Sequence, residues 1–209
     1  MTFYKNKEKF GSLSLKIGIA FSKLRLSPNA WTGISLIPAL VAVWFLIQSE
    51  FLIAAGLFLL SAFLDMVDGA VARVTGRVTK LGAYLDTVVD RYVEAFIIFG
   101  LLFAGLPGFY GIPVYAWIFV YFFGGLMTTY VKAAAKEKDL TGGKEIKGGL
   151  LERAERLIIL FIGILLAVVE PLWLTYVIVL LAVLTNISAL QRMRIAVKKQ
   201  KEMITFPAS

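Results

Sequence analysis

Residues 64–92 read LDMVDGAVARVTGRVTKLGAYLDTVVDRY and place acidic residues inside an apolar sequence. Asp65 and Asp68 are three residues apart, and Asp86 and Asp90 are four apart, so each pair shares one face of a helix. Ionised aspartates in a membrane helix are costly, and they normally face a partner or a water-filled cavity. Because four such carboxylates would repel one another, the stretch predicts a site for one or two divalent cations.

The composition around this stretch indicates a membrane protein. Of the 209 residues, 59% are hydrophobic and 17% are charged, whereas soluble domains have roughly half and a quarter. The apolar residues also come in runs near the ~20 residues that cross a bilayer. We therefore predict an all-α membrane protein with an N-terminal amphipathic interfacial helix and six transmembrane helices, at about 31–48, 51–71, 81–104, 112–134, 157–169 and 172–190.

The charges predict how this chain is divided and oriented. Residues 1–26 mix lysines with apolar residues, as in an interfacial helix, residues 27–195 form the six-helix domain, and residues 196–209 form a basic tail. All 22 Lys and Arg fall on the side that holds both termini, counting the helix ends that border it. By the positive-inside rule this side is cytoplasmic. We expect a multi-pass protein of the cell membrane, with both termini and the active site in the cytoplasm.

The missing residue types narrow the chemistry. The chain has no cysteine and no histidine, which excludes disulfides, thiolates and the commonest general base. Any general acid or base would then be a carboxylate, Lys, Tyr or bound water. The net charge is +8, but nothing resembles a nucleic-acid module, so we expect no nucleic acid partner. Orientation in the lipid bilayer and anionic phosphate ligands explain the charge better.

The aspartate stretch resembles the signature of the CDP-alcohol phosphotransferases, membrane enzymes that make phospholipids. The pattern D-x-x-D-G-x-x-A-R-x8-G-x3-D-x3-D is matched at every fixed position, namely Asp65, Asp68, Gly69, Ala72, Arg73, Gly82, Asp86 and Asp90. The alternative is a pair of ion-paired helix ends, with nearby arginines and lysines as counter-ions. That alternative requires neither this spacing nor these glycines.

This resemblance implies a metal-dependent reaction. In the family an alcohol oxygen attacks the β-phosphate of a CDP-linked lipid, and CMP leaves. The resemblance implies that Asp65, Asp68 and Asp86 hold one metal ion, and that Asp90 joins Asp65 and Asp86 at a second. Mg²⁺ is expected because carboxylate and phosphate oxygens suit hard cations, with Mn²⁺ as an alternative. Asp90 is also expected to be the catalytic base for the incoming hydroxyl.

The resemblance further implies contacts to the CDP-lipid. The expected contacts within the motif stretch are Gly69, Ala72, Arg73, Thr79 and Gly82. The small residues would leave room for the nucleotide, and the arginine would reach its phosphates. A second set begins the first span: Ser27, Pro28, Asn29 and Ala30. For this second set, a nucleotide contact and a simple helix cap are both open.

The rest of the chain resembles the phosphatidylinositol-phosphate and archaetidylinositol-phosphate synthases around residues 130–132, 148–156 and 191–192. In that subgroup the acceptor is inositol 1-phosphate, a dianion that needs a basic pocket. We predict that Lys132, Arg153 and Arg192 bind its phosphate, with Arg156 and Arg91 in reserve. Each cation alone is more simply explained as a cytoplasmic anchor of its span, whereas the three together with the matching local sequence favour the pocket.

Some alternatives remain open at this stage. The donor is CDP-diacylglycerol or CDP-archaeol. The many lysines and the absence of Cys and His are typical of thermophiles, and this slightly favours an archaeal enzyme. The acceptor could instead be glycerol 3-phosphate or serine, or the donor could be CDP-inositol. A homodimer is expected by resemblance alone. An alternative from another class of protein is a cation-binding transporter. A transporter would have acidic residues midway across the bilayer and sequence symmetry between its two halves, and the sequence has neither.

Overall fold

The computed structural model describes residues 14–142, 146 and 148–205. Within these ranges the regular structure is helical, and an isolated bridge joins Phe109 to Ile112. The described helical residues 14–22 are called α1. The later helices are α2 (Pro28–Ile47), α3 (Phe51–Val74), α4 (Lys80–Leu102), α5 (Val114–Glu137), α6 (Arg153–Ala167) and α7 (Pro171–Thr205). The all-α prediction is confirmed, and each of the six predicted apolar segments is helical.

Four of these helices are long and apolar enough to cross a membrane: α2, α3, α5 and residues Pro171–Glu202 of α7. They expose large apolar side chains such as Trp44, Leu52 and Phe119, and an apolar surface of this extent suits lipid. Helix α4 is more charged, with Asp86 and Glu94 among its residues, and α6 has 15 residues. The chain is therefore an integral membrane protein, and the count of six spans stays a prediction.

The predicted interfacial helix is only partly described, because residues 1–13 lie outside the described ranges. Helix α1 packs closely on α3 at Gly18, where an added Cβ would lie 2.6 Å from the Ala70 carbonyl oxygen. Phe21 meets Trp31 and Phe63 edge to face, with ring centroids 5.3 and 5.9 Å apart. These contacts hold α1 against α3 and the start of α2.

The chain divides into two compact units, Met1–Ala104 and Gly105–Ser209. In the first unit, α2 packs against both α3 and α4. The interface contains small buried residues such as Ala42, and an added Cβ at Gly100 would lie 3.0 Å from Leu46. The Ser61 hydroxyl donates to the Ser35 carbonyl at 2.8 Å, a polar link of the kind that joins membrane helices. Helix α2 therefore supports both helices that carry the aspartates.

In the second unit, α7 packs against α5 and α6. An added Cβ at Gly124 would clash with Thr185 and Asn186 of α7, so the glycine permits the close approach of α5. The Asn186 amide donates to the Val120 carbonyl at 3.0 Å. Helix α7 is thereby the shared partner on which the other two helices of this unit are arranged.

Helix α7 is also longer than the predicted sixth span, which ended at Leu190. The helix continues to Thr205. Residues 191–205 contain neither proline nor glycine and are rich in lysine, arginine, glutamine and methionine, which propagate a helix well. Hydropathy therefore indicates where the apolar part of this helix ends, and the helix itself continues beyond that point.

Candidate metal and nucleotide site

The four aspartates are carried by the facing ends of α3 and α4, which a short connection joins. Gly76 adopts a φ of +66° just after α3, a conformation that commonly ends a helix. Thr79 then caps α4, because its hydroxyl accepts the Gly82 N–H at 2.9 Å. The local sequence therefore stops one helix and starts the next within a few residues, and this brings the acidic ends of both into one place.

Three of the aspartates meet at a single point. Asp65, Asp68 and Asp86 each offer one carboxylate oxygen, and these oxygens lie within 4.8 Å of one another. Asp68 is buried and the other two are half-buried. Like charges at this distance repel by a few kcal/mol at an effective dielectric of about 20, whereas hard cations favour a set of carboxylate oxygens. The arrangement therefore fits a divalent metal ion.

Asp90 lies one helical turn after Asp86 on α4 and is half-buried. It is outside the group of three carboxylates that meet within 4.8 Å. Its expected roles, as a ligand of a second ion and as the catalytic base, remain predictions.

Thr32 is a site residue that the sequence analysis missed. Its hydroxyl donates to Oδ2 of Asp68 at 2.5 Å, and the residue is 6% exposed. A hydrogen-bond partner of this kind orients a metal ligand and holds its charge in place. The sequence contained one signal for it, because Thr32 follows Pro28 by four residues and so shares its helix face.

A cavity of about 480 Å³ lies beside the cluster, within the size range of small-molecule sites. Its wall includes the three clustered aspartates and Thr32. The predicted CDP-lipid contacts in its wall are Pro28, Asn29, Gly69, Ala72, Arg73, Thr79 and Gly82. Ser27 and Ala30 are not part of that lining, and the Ser27 hydroxyl instead caps α2 by accepting the Ala30 N–H at 3.2 Å.

The cavity wall also carries positive charge. Arg73 and Arg77 both line it, and a guanidinium binds phosphate oxygens well. Arg73 donates from Nη2 to the Ser14 hydroxyl at 2.8 Å, so α1 contacts this side chain. Arg77 is one of the nearby arginines that the ion-pair alternative treats as counter-ions. With cations and metal-binding carboxylates in one wall, the cavity suits a ligand that carries phosphates.

Space is tight at Gly82, where the starts of α2 and α4 meet. An added Cβ at Gly82 would lie 3.0 Å from the Thr79 hydroxyl oxygen and 3.4 Å from Oδ1 of Asn29. Such contacts are tighter than ordinary van der Waals distances, so a larger residue would push these side chains aside. The role of Gly82 in leaving room beside Asp86 stays a prediction.

The predicted acceptor-phosphate residues lie in the second unit. Lys132 is near the end of α5, Arg153 begins α6, and both are half-buried. Arg192 lies on α7 and is 4% exposed. Arg156, held in reserve, is 1% exposed, and its Nη1 donates to the Thr128 hydroxyl at 3.0 Å.

Arg192 donates to three backbone carbonyls. These are the carbonyls of Thr128 at 2.8 Å, Gly148 at 3.0 Å and Leu151 at 3.3 Å. A guanidinium has five N–H donors, so these bonds use three of them. Whatever else it binds, Arg192 joins α5 and the segment before α6 to α7.

Known proteins match most of the chain. The family model described as CDP-alcohol phosphatidyltransferase matches residues 25–200. The archaetidylinositol phosphate synthase of Pyrococcus horikoshii is 36% identical over 192 residues, which cover 90% of this chain and 92% of that protein.

Among solved structures, the phosphatidylinositol phosphate synthase of Mycobacterium tuberculosis with CDP-DAG bound has a TM-score of 0.77 and 26% identity, and the match covers 88% of this chain and 94% of that one. The same synthase in complex with manganese and citrate has a TM-score of 0.76 and 26% identity, with 88% of each chain covered. The family match includes the aspartate stretch, and the structural matches show that the similarity extends to the fold.

Proposed function

The chain belongs to the CDP-alcohol phosphatidyltransferase family, and on that premise we propose that it transfers the lipid phosphate of a CDP-lipid to inositol 1-phosphate. The observation that carries this proposal is the meeting of Asp65, Asp68 and Asp86 in the wall of a cavity that also presents two arginines. Such a wall can bind a metal ion and a pyrophosphate together, which a CDP-lipid requires.

The donor would bind with its nucleotide in this cavity. Gly69 and Ala72 present little bulk on the α3 wall, while Arg73 and Arg77 supply guanidinium groups for the two phosphates. Asn29 and Thr79 add polar groups at the starts of α2 and α4. The exposed apolar faces of the helices would leave the lipid tails in the bilayer.

The transfer forms one phosphorus–oxygen bond and breaks another. The acceptor hydroxyl oxygen attacks the β-phosphorus, the bond from that phosphorus to the bridging oxygen breaks, and CMP leaves with the bonding electrons. Asp90 would take the hydroxyl proton, while the cavity aligns nucleophile and leaving group. We propose that two divalent cations bind, either Mg²⁺ or Mn²⁺. The first would neutralise the phosphate charge. Asp65, Asp68 and Asp86 would hold it.

Inositol 1-phosphate is proposed as the acceptor on two grounds. The Pyrococcus horikoshii relative and the Mycobacterium tuberculosis structure are both named as synthases of inositol phosphate lipids. The chain also has cationic residues on three helices of the second unit: Lys132 near the end of α5, Arg153 at the start of α6 and Arg192 within α7. We propose that they bind the acceptor phosphate. The archaeal relative favours CDP-archaeol as donor, with CDP-diacylglycerol as the alternative.

The arrangement in the membrane is part of the proposal. We propose six transmembrane helices, α2 to α7, which adds α4 and α6 to the four long apolar helices. With six spans, the basic residues fall on one side of the membrane. Residues 1–26 would lie along the cytoplasmic interface, residues 27–195 would form the catalytic domain, and residues 196–209 would form a cytoplasmic tail. A homodimer in the cell membrane completes the proposal.

The test is a reaction with defined substrates. Purified protein is incubated with Mg²⁺ and either CDP-archaeol or CDP-diacylglycerol, and with inositol 1-phosphate, glycerol 3-phosphate, serine or inositol as acceptor. We expect CMP release and a lipid product with the added mass of inositol phosphate. A product formed only with another acceptor would reject inositol 1-phosphate while retaining the family chemistry.

A further inference from the structure

One turn of α7 binds the backbone of the segment before α6. The Leu150 N–H donates to Oε1 of Gln191 at 2.9 Å, and the Leu151 N–H donates to the Ser188 hydroxyl at 2.9 Å. Arg192 donates to the carbonyls of this same segment, as described above. Side chains at positions 188, 191 and 192, on one face of α7, therefore contact both donors and acceptors of residues 148–151, a segment we call the α6 lead.

The path of the α6 lead is narrowly determined. Gly148 and Gly149 have φ angles of +107° and +116°, which other residues adopt only with strain. An added Cβ at Gly149 would lie 3.0 Å from Nε of Arg192. The Leu151 N–H is buried and must find a partner, whereas the Leu150 N–H is more exposed; for both, the polar side chains of α7 replace the hydrogen bonds that a regular element would provide.

The α6 lead in turn sets the position of Arg153. Helix α6 begins with a capping box, in which the Glu155 side chain accepts the Glu152 N–H at 2.8 Å. Arg153 is the first residue of that helix and directly follows this cap. A shift of the α6 lead relative to α7 would therefore shift the guanidinium that we propose binds the acceptor phosphate.

We propose that Ser188 and Gln191 are positioning residues for the acceptor: they hold the α6 lead on α7 so that Arg153 is in place before the substrate arrives. This inference rests on the proposed function. Without the two hydrogen bonds, binding of the acceptor would have to order the segment as well, and that ordering lowers affinity. The chemistry at the aspartates would be unchanged, so the effect falls on the acceptor KM.

The experiment compares variants in full-length purified protein. Ser188→Ala and Gln191→Met remove the accepting oxygen, whereas Ser188→Thr keeps it without adding charge. We expect the KM for inositol 1-phosphate to rise about fivefold in each removing variant, the ratio that one net hydrogen bond represents. The kcat and the KM for CDP-lipid should stay near wild type in both, and Ser188→Thr should have the wild-type KM for the acceptor. Ile187→Ala, at a side chain 38% exposed on the same turn, is the matched control.

A second measurement addresses the hydrogen bonds themselves. Hydrogen exchange of peptides that contain residues 148–151, measured without substrate, should be faster in both removing variants than in wild type and the Ile187→Ala control. An unchanged exchange rate, an unchanged acceptor KM, or an equal loss for both substrates would overturn the positioning role. Wild-type protein that releases no CMP with inositol 1-phosphate would instead reject the proposed function, so the two failures are distinguishable.

Discussion

In the first unit three carboxylates converge on a cavity, whereas in the second unit two buried arginines donate to oxygen atoms of the protein itself. Asp65, Asp68 and Asp86 bring like charges within 4.8 Å. Arg156 and Arg192 are 1% and 4% exposed and bind a hydroxyl and three carbonyls. Both regions place charge inside an apolar helical structure, but the charges destabilise the folded chain in the first unit and stabilise it in the second.

This difference separates charges that need a ligand to offset their repulsion from charges that already have partners within the protein. Gathered carboxylates raise the energy of the folded chain, and a bound cation offsets their repulsion. Arginines with several carbonyl acceptors lower that energy, because the acceptors would otherwise be buried without partners. Removal of an aspartate should therefore affect ligands and activity first, whereas removal of a buried arginine should affect stability first.

The strongest test of the acidic side is Asp86→Asn. We expect the rate to fall on the order of a thousandfold, because a metal supplies several kcal/mol of transition-state stabilisation. CMP release at saturating CDP-lipid and Mg²⁺ measures this effect. Glu137→Gln, at a side chain 70% exposed and paired with Lys138, is the control and should retain wild-type rates. A variant that keeps its activity would remove Asp86 from the metal site.

Asp90→Asn should abolish turnover while part of the CDP-lipid binding remains. Asparagine keeps the size of the side chain but cannot accept the hydroxyl proton, and general bases contribute about 10²- to 10⁴-fold. Turnover and equilibrium binding of CDP-lipid should be measured on the same preparation. Near-normal turnover would exclude Asp90 as the base.

Thr32→Val probes how α2 orients the acidic cluster. Loss of the hydrogen bond to Asp68 should weaken divalent cation binding by about 10- to 100-fold, as for other partners of metal ligands. Titration of Mn²⁺ by electron paramagnetic resonance measures this directly, without turnover. Thr32→Ser keeps the hydroxyl and should bind as wild type does, so equal affinities in the valine and serine variants would contradict the role.

Arg156→Met probes the basic side. The change leaves the Thr128 hydroxyl without its buried donor and should lower the free energy of unfolding by about 1–3 kcal/mol. Thermal unfolding in EDTA should show a lower midpoint for this variant, whereas Asp86→Asn should be at least as stable as wild type once the cation is removed. If both variants lost the same stability, the contrast between the two units would be wrong.

The smallest effects separate two helix caps. Ser27→Ala and Thr79→Ala should each reduce stability by about 1 kcal/mol, because each removes a hydroxyl that accepts an N–H at a helix start. Only Thr79 lines the cavity, so only its variant should also raise the KM for CDP-lipid. Equal KM values in the two variants would show that Thr79 is a cap and nothing more.

The fold and the acidic half of the site were largely readable from local sequence. Helix positions follow from apolar runs and from breakers such as Gly76, and both depend on neighbouring residues. Thr32 was missed because its importance depends on a carboxylate 36 residues away. The length of α7 was missed because hydropathy reports burial in lipid, while helix propagation depends on backbone propensity.

By itself the sequence determined that this chain is helical, that it lies in a membrane and that its aspartates belong to one motif, because these properties follow from composition and short-range spacing. Only the tertiary structure decided that Thr32 holds one of these carboxylates, and that Ser188, Gln191 and Arg192 bind the segment before Arg153. Those facts depend on which helix faces pack together, and packing joins residues that are far apart along the chain.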